Sequence, residues 1–416
     1  MTIEETPDTV GCTIVGGGIH GTYLAQRLLE DTALTRDTVR IVDPNDRLLA
    51  SFREKSAVCG MSSLRSTFVH HIGTEPFSLE SFAEAADRED ELISTVDYPP
   101  RPSLALFLDH AESVIERKSL SELHDQATVT GIQTAPTGAQ LRVETTAGTH
   151  ETARCVIAIG HGGRVHRPKW AAESGRIKHV WGEFASESTA DSTVVVGGGI
   201  TAVQLACELA ETESVVLLSR RALEWEVSEA DPPWIGWGHI ERNLHTHPPG
   251  SRERFELVSA ARHTATVPPY LYPAVESQIS GGSLTLKQGI VDSVTLHPDE
   301  VELHLDCQKR LRTDRVVLAT GFETVFDHPF IDRLTDALSL RQGYRGVPVL
   351  DDTTLQWQRT DGGSAPIHVS GALAVGSVGP YAPNLPGARR AGDRIVDAIN
   401  ATTTPTEKRI EASGRS

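Results

Sequence analysis

The chain has 416 residues, 39% of them hydrophobic and 23% charged, a balance that suits a globular protein with two or three domains and excludes a fibrous or low-complexity one. A formal charge of −17 argues against broad attraction to nucleic acid or to an anionic membrane surface. The five cysteines (Cys12, Cys59, Cys155, Cys207, Cys307) stand far apart with no C-x-x-C pair, which argues against structural zinc and against a dithiol–disulfide reductase.

The opening residues MTIEETPDTV are acidic and polar, unlike a signal peptide, and residues 1–10 read as a frayed tail. No apolar run reaches the ~18 residues of a membrane helix, so the expected location is the cytoplasm. Lysines number only seven, while Arg, Asp and Glu are plentiful.

TIVGGGIHGTYLA at 13–25 reads as a buried strand (12–16), a glycine turn and a helix (19–30). Gly16, Gly18 and Gly21 fit G-x-G-x-x-G. The first allows a tight turn, the second lets backbone approach a pyrophosphate, and the third lets the helix pack close to the strand. Phosphates then sit on the helix N-terminus, where free N–H groups and the dipole favour anions. A strand at 39–44 follows and carries Asp43, which either binds the ribose hydroxyls of an adenine nucleotide or caps the turn before Pro44. Residues 47–82 read as irregular and gather Arg65, Ser66, His70 and His71 among aromatics, as a functional loop or as locally bonded loop residues. No other ligand stands at metal spacing from the paired histidines, so no metal site is expected. A helix at 103–117 brings Leu104, Phe107, Leu108, Ala111 and Ile115 to one face, which packs against the sheet.

From 127 to 159 the period changes to two. Three strands, beginning near Val129, are separated by turn residues at Pro136–Gly138 and Ala147–Gly148, and the last closes at Gly160. Residues 161–191 connect to a second glycine turn, VVVGGGITAVQLA at 194–206, where Gly197, Gly199 and Ala202 repeat the spacing of the first. The strand VVLLS at 215–219 ends on Arg220–Arg221 with no acidic residue. Arg220 there suits a 2′-phosphate, so the second site is expected to prefer NADPH; a solvated arginine pair is the plainer alternative. Residues 222–283 exceed one crossover and hold Trp225, Trp234, Trp237 and a helix at 251–264, a lid, a substrate wall or simple packing. Period-two strands recur over 284–321 and close at Gly321. Both halves therefore run turn, helix, strand, β-meander and a strand closed by Gly, an internal repeat. Residues 367–399 read as a strand, a Gly/Pro-rich loop with Gly371, and a final helix from Pro386–Gly387; a disordered tail is expected from about 402.

The paired turns, the AIG and ATG strand ends and the G-A-R-R helix at 387–390 resemble flavoproteins with two dinucleotide-binding domains over nearly the whole chain. GMSSLRSTFVHHIGTEPFSLESF at 60–82, PPRPSLALFLDH at 99–110 and GPYAPNLPGARRAGDRI at 379–395 are similar to flavin-dependent N-hydroxylating monooxygenases and to the group near urate and aspartate hydroxylases. The Baeyer–Villiger fingerprint F-x-G-x-x-x-H-x-x-x-W is only half present. Gly175 and His179 keep its spacing, but Trp181 is misplaced and position 173 is Glu.

The resemblance implies an α/β fold of two Rossmann-like domains with β-meanders, the NADPH domain inserted in the FAD domain. The expected segments are 1–165 (FAD, first part), 166–311 (NADPH, with the insertion 222–283) and 312–416 (FAD, second part). It implies FAD at the first turn, with Gly16, Gly18, Gly21 and Asp43, NADPH at the second, with Gly197, Gly199, Ala202 and Arg220, and further cofactor contacts at Val129, Gly160, Gly321, Gly371 and Gly387. The last helix N-terminus would face the pyrimidine ring of a reduced flavin. Expected chemistry is reduction of FAD by NADPH and hydroxylation of a small nucleophilic substrate by a flavin hydroperoxide. Arg65 would hold charge, His70 or His71 would relay a proton, and Asn384 would contact the ring. The alternatives are a reductase feeding a quinone or a protein, and a non-catalytic sensor. Expected partners are a small substrate and dioxygen, with no nucleic acid and no membrane, and a homo-oligomer is possible.

Overall fold

The computed structural model describes residues 9–403 apart from 97, 137–139, 183, 185–189 and 264. The expected tail from about 402 and most of the frayed N-terminus lie outside the described residues, as does most of the Pro136–Gly138 turn. In chain order the first half holds β1 (Cys12–Val15), α1 (Ile19–Asp31), β2 (Val39–Asp43), α2 (Ala50–Val58), α3 (Ser78–Ala85), α4 (Leu104–Arg117), β3 (His124–Gln126), β4 (Val129–Thr134), β5 (Leu141–Thr145), β6 (Gly148–Thr152) and β7 (Cys155–Ile157). Then come β8 (Ile177–His179), β9 (Ser192–Val196), α5 (Ile200–Leu209), β10 (Ser214–Ser219), α6 (Trp237–Asn243), α7 (Arg252–Ala261), α8 (Tyr272–Gly281), β11 (Leu284–Gln288), β12 (Val291–Leu296), β13 (Val301–Leu305), β14 (Arg310–Thr313) and β15 (Arg315–Leu318). The chain closes with α9 (Pro329–Leu338), β16 (Gln356–Gln358), β17 (Ser364–Val369) and α10 (Leu385–Thr403).

Two sheets carry these elements. The first has the order β16-β17-β7-β1-β2-β3, parallel except for the β16 edge, and draws its strands from both ends of the chain. The second, β8-β15-β9-β10-β11, is parallel throughout. Each has its own meander, β4–β6 for the first and β12–β14 for the second. Strand β1 is buried at all four positions, as expected of a parallel strand covered on both faces. One core joins β1, β2 and β7 to α1, α4, α9 and α10, and a separate one lies under α5.

Three expectations change. The irregular stretch 47–82 contains α2 and α3, leaving 59–77 as the connection between them. The reason is burial of a narrow face: Leu79 and Ala83 of α3 are fully buried, a stripe too short to read from sequence among charged neighbours. The boundary at 311/312 falls too early, because β15 pairs with β8 and β9 inside the second sheet. β15 is hydrogen-bonded on both sides, to β8 and to β9, so it lies inside the second sheet. The last expectation concerns the 222–283 segment, which adds α6 and α8 to the anticipated helix at 251–264, observed as α7.

Candidate active site between the two glycine turns

Two positions of the first turn admit only glycine. Gly16 has φ +113, and a Cβ there would lie 2.5 Å from the Ala158 carbonyl oxygen; one on Gly21 would lie 1.8 Å from the Gly16 oxygen. Gly18, at the mouth of α1, has nothing within 4 Å. Two glycines thus close the strand–helix packing and the third leaves open space in front of the helix N-terminus. Asp43 braces this turn. One of its carboxylate oxygens accepts from the Gly17 N–H at 2.7 Å, and the other accepts from the Asn45 N–H at 2.9 Å. The second turn repeats the device, since a Cβ on Gly197 would lie 2.5 Å from the Ala319 oxygen and one on Gly198 would lie 2.4 Å from Ser219 Oγ.

A cavity of about 950 Å³ runs between the turns. Gly16, Gly18, Asp43, Val129 and Gly160 line its first end, and Ile200, Thr201 and Gln204 of α5 line its far end. Between them stand Arg65, His70, Tyr381 and Asn384. The wall also includes residues 227–229, 232 and 235 of the insertion. That wall is fastened to the first domain. The Tyr381 hydroxyl donates to the Ala230 carbonyl, and Asn384 Nδ2 donates to Glu229 Oε2 at 2.9 Å. Arg254, 1% exposed, grips Asp352 with two bonds of 2.7 Å and donates a third to the Gly376 carbonyl. A buried bidentate pair of this kind costs roughly 3–5 kcal/mol to break by removing one partner.

Two orphaned polar atoms fit a bound heterocycle. His70 Nδ1 and Asn384 Oδ1 belong to residues lining the cavity, are buried, and have no protein partner. Buried polar atoms of native proteins are nearly always paired, so a ligand with donors and acceptors suits this place. Burial, then the charge of Arg389, pushes His70 down to about 4.

The expected site residues divide. Arg65 lines the cavity, but its guanidinium is engaged: it donates to the carbonyls of Val227 (2.9 Å) and Glu226 (2.8 Å) and to Thr266 Oγ1 (2.9 Å). It is a strut between 59–77 and the insertion. His71 lies outside the cavity wall, is fully buried, packs edge-on against His110 and is pushed down to about 3 by burial and then by Arg389, so it corrects the proton-relay expectation. The i,i+1 neighbours of an irregular chain point apart, and sequence cannot say which faces inward. Gly21, Gly197, Gly199, Ala202, Gly321, Gly371 and Gly387 are likewise absent from the wall. Gly387 is a packing glycine, since a Cβ there would lie 2.3 Å from the Ala382 oxygen. Arg220 is exposed at the end of β10, off the cavity wall, with no side-chain partner among the described residues.

Sequence reasoning missed several wall residues. His20 lies inside the first turn and bonds Ser370 Oγ at 2.8 Å, joining α1 to the C-terminal part. His161 and Phe322 each follow the closing glycine of one half, at Gly160 and Gly321, and that shared position was the available signal. Cys59 also lines the cavity; burial raises its thiol to about 11, and all five cysteines are free.

Residues 13–162 match the FAD-NAD(P)-binding family model. No curated protein matches the chain. Among solved structures the fold is similar to that of an ornithine N-hydroxylase from Kutzneria sp. 744, solved with reduced FAD, NADP+ and L-ornithine (TM-score 0.77, 16% identity, 96% of this chain and 100% of the other). It is also similar to L-lysine 6-monooxygenase from Pseudomonas syringae (TM-score 0.72, 18% identity, 96% and 100%). A bacillithiol disulfide reductase from Staphylococcus aureus is similar over the same extent (TM-score 0.62, 14% identity, 95% and 100%). The α/β fold anticipated from the paired turns, two Rossmann-like sheets each with its own β-meander, is the fold observed. Among the described residues no helix is long and apolar enough to cross a membrane.

Proposed function

We propose that the chain is a cytoplasmic FAD-dependent oxidoreductase that takes its electrons from NADPH and oxygenates a small nucleophilic substrate. The observation that carries this reading is the cavity that runs from Gly16 and Gly18 of the first turn to Ile200 and Thr201, the first residues of α5 after the second turn, so that two dinucleotides could meet end to end. The residues present fit the groups. Gly16, Gly18 and the first turn of α1 would hold the FAD pyrophosphate, with Asp43 and Val129 on the adenosine side. The flavin would supply hydride acceptance and oxygen activation.

The chain's own part is orientation and exclusion of water. Tyr381 and Asn384 fasten residues 229 and 230 of the insertion to the cavity, a wall that would narrow access of water to a bound flavin. His70 stays neutral at physiological pH because of its burial and leaves Nδ1 free to bond a ligand. Arg65 positions the insertion against the 59–77 segment. Cys59 forms no disulfide and burial raises its thiol to about 11, which argues against thiol exchange at this cavity.

The test is rapid mixing of NADPH-reduced protein with oxygen. A transient absorbance before flavin reoxidation, with product formed in step with NADPH use, is the expected result. Immediate featureless reoxidation would mean a reductase, and no reduction by NADPH would overturn the enzyme reading.

A further inference from the structure

Where the cavity meets the second sheet, three rings stand parallel. His161 and Phe322 have centroids 5.1 Å apart with planes 1° apart, and Trp181 and Phe322 are 6.5 Å apart and 7° from parallel. Trp181 follows β8 and Phe322 follows β15, the strands on the side of β9 away from β10. A dinucleotide entering with its adenosine at the β10 end crosses the glycine turn after β9 and delivers its other half at this side.

Lys55 of α2 stands over Phe322 with its Nζ 5.1 Å from the ring centroid. It is half-buried, lines the cavity, and forms no ion pair among the described residues. The carboxylates facing this region are Glu54, exposed on the same helix, and Glu229, which Asn384 and Arg262 already engage. A cation over one aromatic face gains less than a charged hydrogen bond returns. The neighbouring His161 is neutral, its pKa pushed down to about 4 by burial and then by the charges of Arg262 and Lys55.

We propose that Lys55 and the ladder of His161, Phe322 and Trp181 form a subsite for a planar ring with an anionic group attached close to it. The ring lies along the ladder and the anion meets the Lys55 ammonium. The nicotinamide half of a dinucleotide has this chemistry, and so does an aromatic acid acting as substrate. The inference rests on the reading of the second turn as a dinucleotide site only for the first of these sources.

The experiment is calorimetric titration of the flavin-loaded protein with three probes: nicotinamide mononucleotide, 4-hydroxybenzoate and adenosine 2′,5′-bisphosphate. Lys55→Met is expected to weaken nicotinamide mononucleotide or 4-hydroxybenzoate about tenfold or more, with Lys55→Arg close to wild type. Trp181→Leu is expected to weaken the same probe, and adenosine 2′,5′-bisphosphate should be unchanged in every variant. Dependence of the mononucleotide on Lys55 assigns the subsite to the coenzyme; dependence of 4-hydroxybenzoate assigns it to an acidic aromatic substrate. Equal binding of both ring probes by wild type, Lys55→Met and Trp181→Leu overturns the proposal. So does failure of both ring probes to bind wild type while adenosine 2′,5′-bisphosphate binds. If only adenosine 2′,5′-bisphosphate fails, the NADPH reading of the second turn falls and the subsite stands.

Discussion

Gly18→Val separates the fold from the cofactor. Gly18 has φ −75 and ψ −165, extended backbone that any residue adopts, and no atom lies within 4 Å of an added Cβ. The substitution therefore introduces no clash and no backbone strain in the protein itself. The new side chain instead fills the space where backbone N–H groups at the α1 N-terminus would meet a pyrophosphate. Each charged hydrogen bond lost is worth about 1.5–3 kcal/mol, so two cost roughly 3–6 kcal/mol, or about a hundredfold to ten-thousandfold in FAD affinity. The assay is flavin-to-protein absorbance of the purified variant, followed by FAD titration and a melting curve of the flavin-free forms. Gly21→Ala is the contrast, because its Cβ would lie 1.8 Å from the Gly16 oxygen. Overpacking of this kind costs about 1–3 kcal/mol or more, and the flavin-free melting point should fall by several degrees. A fully yellow Gly18→Val protein would refute the placement of FAD. A flavin-free Gly18→Val protein melting as low as Gly21→Ala would refute the claim that this position is open.

Arg65→Ala should leave flavin bound but loosen the insertion by removing three hydrogen bonds, seen as a lower product yield and more peroxide per NADPH consumed; unchanged coupling would show that the strut is dispensable. Arg220→Ala should weaken NADPH about tenfold to a hundredfold and NADH hardly at all, with an unchanged melting point, since Arg220 is exposed and unpartnered among the described residues; equal loss for both coenzymes would remove its role. His71 is held neutral down to about 3 and His110 down to about 4, against 6.5 for the free side chain, in each case by burial first. The unfolded chain therefore binds more protons in this interval, so stability is complete above about 6.5 and is lost as pH falls toward about 4. His71→Phe should flatten the dependence of melting temperature on pH there, and an unaltered slope would show that His71 does not titrate on unfolding.

What was legible in the sequence is what local geometry controls. A tight strand-to-helix turn leaves no space for Cβ atoms at Gly16 and Gly21, so the requirement appears as spacing within one short segment. Because the same geometry recurs at Gly197, the two-domain architecture could be read from one motif met twice, and the meanders followed from their period of two. Asp43 was found for the same local reason, although its carboxylate turns out to brace the Gly17 N–H as well as to face the cavity.

Tertiary structure decided everything that depends on which distant segments meet. His70 and His71 are adjacent in sequence, yet one lines the cavity and the other is sealed beside His110, because only the packing of 59–77 against α4 sets their directions. Arg65 read as a free charge until the carbonyls of residues 226 and 227, 161 and 162 positions away, were found to occupy it. β15 could be placed only by its partners, β8 and β9. His161 and Phe322 share a place after a closing glycine, but nothing along the chain links them to Lys55 or Trp181. They come together because α2 and the ends of three strands converge there, and no window of sequence contains such convergence.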